Sequence, residues 1–378
     1  MVAVIGFASC DKVDELPFYG NGTAPVLSAS ASTVAPAPAD SNNVVLTLSW
    51  SYPNHATDSA TMKYVVEIDS VSKNFSNPYQ ATLNGALSTS FIAKELNTVL
   101  LNRGYAFNVP VSMEVRVISS YGNNNERLYS NVLPLSITPY KVPPRVALPV
   151  TGKLYIVGAA TQGGWNNPVP TPTQELARLD ETTWGGVFEM NGGSQYLLLP
   201  ENGSWDNKFS VASNTVPGLD AGGDFGFNLP DNFPGPSASG WYKIIVDFQT
   251  GKFKVTAYTA PYPTDLFIVG DATPGGWSNP VPVPSQQLTR LNASQWSIAL
   301  NFTGSGSYLL LPNNGSWDSK YAVPSGSVTD LWKGGKIEYY TGGGDNIPGP
   351  TSAGVKTLLV TLSAKEDDYP VGKFTVTP

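Results

Sequence analysis

The chain nearly lacks the side chains that most enzyme chemistry relies on. Its 378 residues include one histidine, His55, and one cysteine, Cys10. This excludes a disulfide within one chain and zinc sites of the usual Cys/His types, and nucleophilic catalysis by Cys–His or Ser–His–Asp arrangements is not expected. Charge is scarce too, at 13% of residues with a formal net of −7. No stretch gathers the lysines and arginines that neutralising a phosphate backbone requires, so nucleic acid is not an expected partner. Neither a metal nor a cofactor is expected, and the apolar start of the chain is too short to span a bilayer.

What the chain does have is glycine (37), proline (32) and aromatic residues, with 9 Trp, 18 Tyr and 15 Phe. Short runs rich in Val, Tyr, Phe and Thr, such as Val44–Trp50, Lys63–Asp69, Leu154–Gly158 and Lys243–Phe248, alternate with Gly- and Pro-rich turns. That pattern predicts many short strands and an all-β fold, with at most one or two helical turns near Ala93–Asn102. At about 150 residues per domain, the length predicts two or three domains.

Residues 1–9, MVAVIGFAS, have the shape of the last part of a signal peptide without its cationic start, which suggests a truncated beginning. Phe7-Ala8-Ser9-Cys10 resembles a bacterial lipobox with Phe where Leu is usual. On that reading Cys10 is the site of lipidation and residues 10–23 form a lipidated tether. The other reading is a buried or incidental thiol. The polar residues that follow, Asp11, Lys12, Asp14 and Glu15, make a poor start for a buried strand.

The strongest signal is an internal repeat. Residues 153–212 align without gaps to 265–324 at an offset of 112, with 32 of 60 positions identical. Leu154-Tyr155-Ile156-Val157-Gly158 returns as Leu266-Phe267-Ile268-Val269-Gly270, and Gly163-Gly164-Trp165 as Gly275-Gly276-Trp277. Asn202-Gly203-Ser204-Trp205-Asp206 returns as Asn314-Gly315-Ser316-Trp317-Asp318. A period this long indicates a duplicated domain rather than a solenoid or propeller. The two copies are expected over 153–258 and 265–378, with Pro143-Pro144 and Ala260-Pro261-Tyr262-Pro263 as short, stiff linkers. Before them, residues 24–140 suit an immunoglobulin- or fibronectin-like sandwich in which one Trp packs inward.

Each copy carries three matched tryptophans. Trp184 and Trp296 precede runs of period two and are expected in the core. Trp165 with Trp205, and Trp277 with Trp317, sit in loops rich in Gly, Asn and Pro, where a large apolar ring needs a reason. They serve either as platforms for the C–H faces of sugars or as plugs folded back under the loops. Glycoside hydrolysis needs two carboxylates across the bond. Asp206 is matched by Asp318, but Glu175 faces Gln287 and Asp180 faces Asn292. Acids required in both copies would survive duplication together, so binding is favoured over hydrolysis. The acidic cluster Glu366-Asp367-Asp368 reads as a solvated loop.

A lipobox-like cysteine, a sandwich-like first domain and tandem units built on these motifs resemble the SusE/SusF family of surface glycan-binding lipoproteins of Bacteroidota. The resemblance implies an outer-membrane lipoprotein facing outward, with non-catalytic β-sandwich modules that bind starch or malto-oligosaccharides, or another polysaccharide. Carried over by position, the platforms are Trp165 with Trp205 and Trp277 with Trp317. The polar candidates are Gln195, Asn207, Lys208 and Lys320, and Trp332 extends the second site. A TonB-dependent importer and surface glycoside hydrolases are the implied partners. A carboxylate-based glycoside hydrolase and a purely structural surface protein remain the alternatives.

Overall fold

A computed structural model describes residues 22–55, 59–326, 331–365 and 369–378. The expected signal peptide, the lipobox with Cys10, most of the tether and the Glu366-Asp367-Asp368 cluster lie outside the described residues. The architecture is nearly all β. Among the described residues the one α-helix is Ala93–Asn102. It buries Ala93, Leu96, Asn97 and Leu100, the spacing of a one-sided amphipathic helix.

The chain divides into two compact units between Pro143 and Pro144. The first is a two-sheet sandwich. One sheet pairs Leu27–Ala29, Val44–Trp50 and Ser88–Ile92, and the other is built on Val111–Ser120, Lys63–Ser70, Tyr79–Asn84 and Leu133–Ile137. Strict alternation along Val44–Trp50 turns Leu46, Leu48 and Trp50 inward. They meet Tyr64, Val66, Ile68, Met113, Val115 and Val117 in one core, where Trp50 lies 5.4 Å from Tyr64. The inward tryptophan expected from the sequence is therefore present.

The second unit holds both repeats. In copy one, Tyr155–Val157 pairs with Gln195–Leu199, which continues to Phe209–Ser210 and Gly226–Phe227. The facing sheet is Ala177–Arg178, Thr183–Met190, Gly240–Asp247, Lys252–Ala257 and Gly222–Asp224. Trp184, Phe188, Ile244 and Val246 from this sheet meet Ile156, Tyr196, Leu198 and Phe209 from the other. Copy two repeats the plan with one difference. The edge strand is unbroken over Gly334–Tyr340 and pairs with both Gly372–Thr377 and Lys320–Ala322, joining the two sheets. Copy one interrupts it at Phe225, which turns into the core. Trp184 and Trp296 are fully buried, as expected.

The repeats pack directly on each other. In copy one the outward residues of the central strands include Gly185, Val187, Trp241 and Ile245; in copy two the same register positions are Ser297, Ala299, Val355 and Leu359. Only the first set is covered. Val187 joins the core cluster of copy two, and Ala293 joins that of copy one. Trp241 stacks on Tyr262 at 4.2 Å and 17°. The Tyr262 hydroxyl donates to the Ala293 carbonyl, and Arg290 donates to the Tyr262 oxygen at 2.6 Å. The backbone N–H of Ala293 donates to Glu175 O, and Lys243 Nζ to Tyr369 O. The segment Ala260-Pro261-Tyr262-Pro263 is thus a packed part of this junction.

Candidate functional site

The Gly-Gly-Trp loop of copy one is closed by a tight turn in which Gly164 N donates to Thr161 O and Gly158 N to Gly164 O. Buried Gln174 supports it from below. Its Oε1 accepts from Gly163 N at 2.9 Å, and its Nε2 donates to Ile156 O at 2.6 Å and Thr161 Oγ1 at 3.2 Å. Both glycines are dictated by this geometry. A Cβ on Gly163 would lie 2.5 Å from Gln174 Oε1, and Gly164 has φ +56, the left-handed region. Beyond Trp165 the loop folds back so that Val169 covers the outer face of the first sheet, against Tyr155, Val157, Leu197 and Leu199. The apolar plug beneath the loop is therefore Val169, and Val281 in copy two.

The second loop, carrying Trp205, is tied to the first by two asparagines. Asn167 Oδ1 accepts from Gly203 N at 2.7 Å, and its Nδ2 donates to Ser204 O at 3.0 Å. Asn202 Oδ1 accepts from Val169 N at 2.7 Å, and its Nδ2 donates to Val169 O at 3.2 Å. Copy two has the same four bonds, from Asn279 to Gly315 and Ser316 and from Asn314 to Val281. Sequence reasoning missed Asn167, Asn202 and Gln174. Their identity at an offset of 112 within loops otherwise free to vary is the signal that marks them.

This framework brings the loop tryptophans together in pairs. Trp165 and Trp205 have ring centroids 6.4 Å apart with planes at 41°, and Trp277 and Trp317 are 6.5 Å apart at 39°. All four are well exposed, at 42%, 49%, 39% and 52%, whereas Trp184 is 1% and Trp296 0% exposed. Among the described residues, no protein group hydrogen-bonds their indole N–H groups and no cation stands over their rings. Each pair is an open, shallow V of two apolar faces with free donors at its edges.

Two of the polar candidates, Gln195 and Asn207, have side chains bound into the loop framework. Gln195 Oε1 accepts from Asn232 at 2.9 Å, and its counterpart Ser307 is bonded in the same way by Asn346. Asn207 Oδ1 accepts from Asn228 Nδ2 at 3.4 Å, while the Asn228 side chain also accepts from Lys208 N at 2.9 Å. Lys320 opens the strand Lys320–Ala322, opposite Tyr340. Trp332 is placed elsewhere. It lies on the 3-10 turn Leu331–Lys333, with Lys333 Nζ over its ring at 5.1 Å. That turn enters Gly334–Tyr340 at the end opposite Tyr340, about 20 Å along the strand from the Lys320 pairing. Trp332 makes no ring contact with Trp277 or Trp317.

Asp206 and Asp318 are the one carboxylate matched between the loops, and Asp318 Oδ2 accepts from Ser316 Oγ at 3.0 Å. Beneath the sheets, burial pushes the Tyr196 and Tyr308 phenols far up, so they stay neutral. Among the described residues no cluster of His, Cys, Asp and Glu could hold a metal ion.

Residues 12–118 match the SusE outer membrane protein family. No curated protein sequence matches the chain. Among solved structures the chain is similar to SusF from Bacteroides thetaiotaomicron, at 15% identity over 95% of this chain and 76% of that one, with a TM-score of 0.33. A likeness that distant does not define the fold, which rests on the sheets themselves. The match to the SusE outer membrane protein family lies in the N-terminal part of the chain, and both repeats fall outside it.

Proposed function

We propose that this outer-membrane protein binds polysaccharide at the cell surface, without catalysis, through the two ring pairs. The observation that carries this reading is the exposed, tilted Trp pair built identically in both copies. A pyranose has faces made largely of C–H groups and a rim of hydroxyls, so an indole covers one face while its N–H and neighbouring polar groups meet the rim. Each ring contact is worth on the order of 1 kcal/mol by analogy with other aromatic contacts. Planes near 40° apart cannot both lie along a flat, ribbon-like glycan. They suit a chain whose successive sugar planes turn, as in α-1,4-linked glucan, which supports starch or malto-oligosaccharide as ligand.

Shallow sites of this kind are individually weak, and two on one body raise apparent affinity for a polymer that reaches both. With a lipid at Cys10 fixing the chain to the membrane, the modules would hold polysaccharide near separate glycoside hydrolases and a TonB-dependent importer. A hydrolase would need a carboxylate pair, and each ring pair has a single matched acid.

The test is affinity electrophoresis against a polysaccharide panel with wild type, Trp165→Ala/Trp205→Ala, Trp277→Ala/Trp317→Ala, and all four changes together. Stepwise loss of retardation in amylopectin gels is expected. Retardation unchanged in the fourfold variant would sink the platforms, and reducing sugar released on long incubation would sink the non-catalytic reading.

A further inference from the structure

Between the two repeats lies a cleft of about 290 Å³ that the ring pairs do not account for. Its apolar lining is Val187, Phe188, Trp241 and Tyr262, and its rim is polar, with Gln162, Glu189, Thr264 and Arg290. Clefts at such junctions, apolar at the base with a few convergent polar groups, are where small ligands bind. Among the described residues neither the Glu189 carboxylate nor the Gln162 amide has a hydrogen-bond partner. Arg290 is held by the Asn292 carbonyl and the Tyr262 oxygen, so it is a fixed donor rather than a free cation. One carboxylate and one guanidinium leave the rim with no net charge. The complementary ligand is neutral, rich in hydroxyls and apolar on one face.

The cleft also adjoins the first ring pair. Gln162 and Trp165 belong to the same turn, and three Cα–Cα steps place them at most about 11 Å apart. Copy two has no equivalent. Its register counterparts of Gln162, Glu189 and Trp241 are Pro274, Asn301 and Val355, and Val355 is 67% exposed with no module packed over it.

We infer that the cleft beside Trp241 is an additional saccharide subsite, present on copy one alone, that takes the sugars of a neutral glycan extending past the Trp165–Trp205 pair. The inference rests on that pair being a glycan platform. Copy one is then a long-chain reader and copy two a short-chain reader.

The experiment uses the full chain with Trp277→Ala/Trp317→Ala as background, so that only copy one reports. Calorimetric titrations with α-1,4- and β-1,4-linked glucose oligosaccharides, from disaccharide to heptasaccharide, are compared with the same protein carrying Gln162→Ala/Glu189→Ala. Both are surface positions, so folding is unaffected. The background protein should bind the longest chain about tenfold more tightly than the shortest binding one, which corresponds to about 1.4 kcal/mol. The Gln162→Ala/Glu189→Ala protein should keep the short-chain affinity and lose the gain with length. Identical length dependence in the two proteins overturns the subsite and leaves the platform standing. No heat with either series at any length removes the platform reading, and the subsite with it.

Discussion

Asn167 and Asn202 each hold the other's loop. The Asn167 side chain bonds the backbone of Gly203 and Ser204, and the Asn202 side chain bonds both polar groups of Val169. Two loops from distant parts of the sequence are thereby fixed at one separation, and so are the rings they carry. A platform ordered before the ligand arrives loses little conformational freedom on binding, which matters most where the contact energy is small.

Replacing Asn202 by Ala therefore tests the ordering independently of the rings. The change leaves the amide and carbonyl of Val169 without partners and should cost about 1–3 kcal/mol of stability. Glycan affinity of copy one should fall about tenfold although Trp165 and Trp205 remain. Paired calorimetric titrations and urea unfolding measure both effects, and Asn314→Ala should do the same to copy two.

The core and loop tryptophans should separate cleanly in denaturant. Trp184→Ala empties a fully buried site packed against Phe248 and should cost about 3–5 kcal/mol. Trp165→Ala, at an exposed site, should change stability by no more than about 0.5 kcal/mol while abolishing copy-one binding. An equal loss of stability in both would mean that Trp165 is a packing residue.

The junction predicts how the second unit unfolds. With Val187, Ala293, Trp241 and Tyr262 shared between the copies, differential scanning calorimetry should show the repeats melting together. Trp241→Ala removes the stack on Tyr262 and should split that transition into two. Two transitions already present in wild type would mean the interface contributes little.

His55 gives the first unit an acid-sensitive element. It is buried, with Nε2 3.4 Å from Ser119 Oγ, beside the Tyr121 ring, and its Nδ1 has no partner. Burial, opposed by the Glu126 charge, holds its pKa below the ordinary 6.5. Protonation then favours the unfolded chain, so this contribution is complete above pH 6.5 and is lost as pH falls through the folded-state value. Thermal melts of wild type and His55→Gln from about pH 7 to pH 5 should converge as the pH drops. A constant gap between them would refute the assignment.

Much of the architecture could be read from residue order alone. Period-two runs such as Val44–Trp50 place strands and their inward faces, and the patterns flanking Trp184 and Trp165 separate a core ring from a loop ring. The asparagine lock could not be read in this way, because Asn167 meets Ser204 across 37 residues and a side chain bonding distant backbone leaves no local pattern. Trp332 shows the converse. It aligns with a divergent position of copy one, yet Leu331 turns in against Gly335 and fixes the ring at the far end of its strand. The packing of the repeats was encoded in Gly185, Val187, Trp241 and Ile245, but reading it required comparing outward positions rather than shared motifs.

Those four positions also set the order of the modules. Copy one carries a socket and copy two the plug that fills it, so the duplicates are no longer interchangeable. A chain with the copies transposed would leave Val187, Trp241 and Ile245 in water and present Ser297, Ala299 and Val355 to a partner they do not fit. Duplication supplied two modules of one kind, and divergence of a single sheet face turned them into an ordered pair.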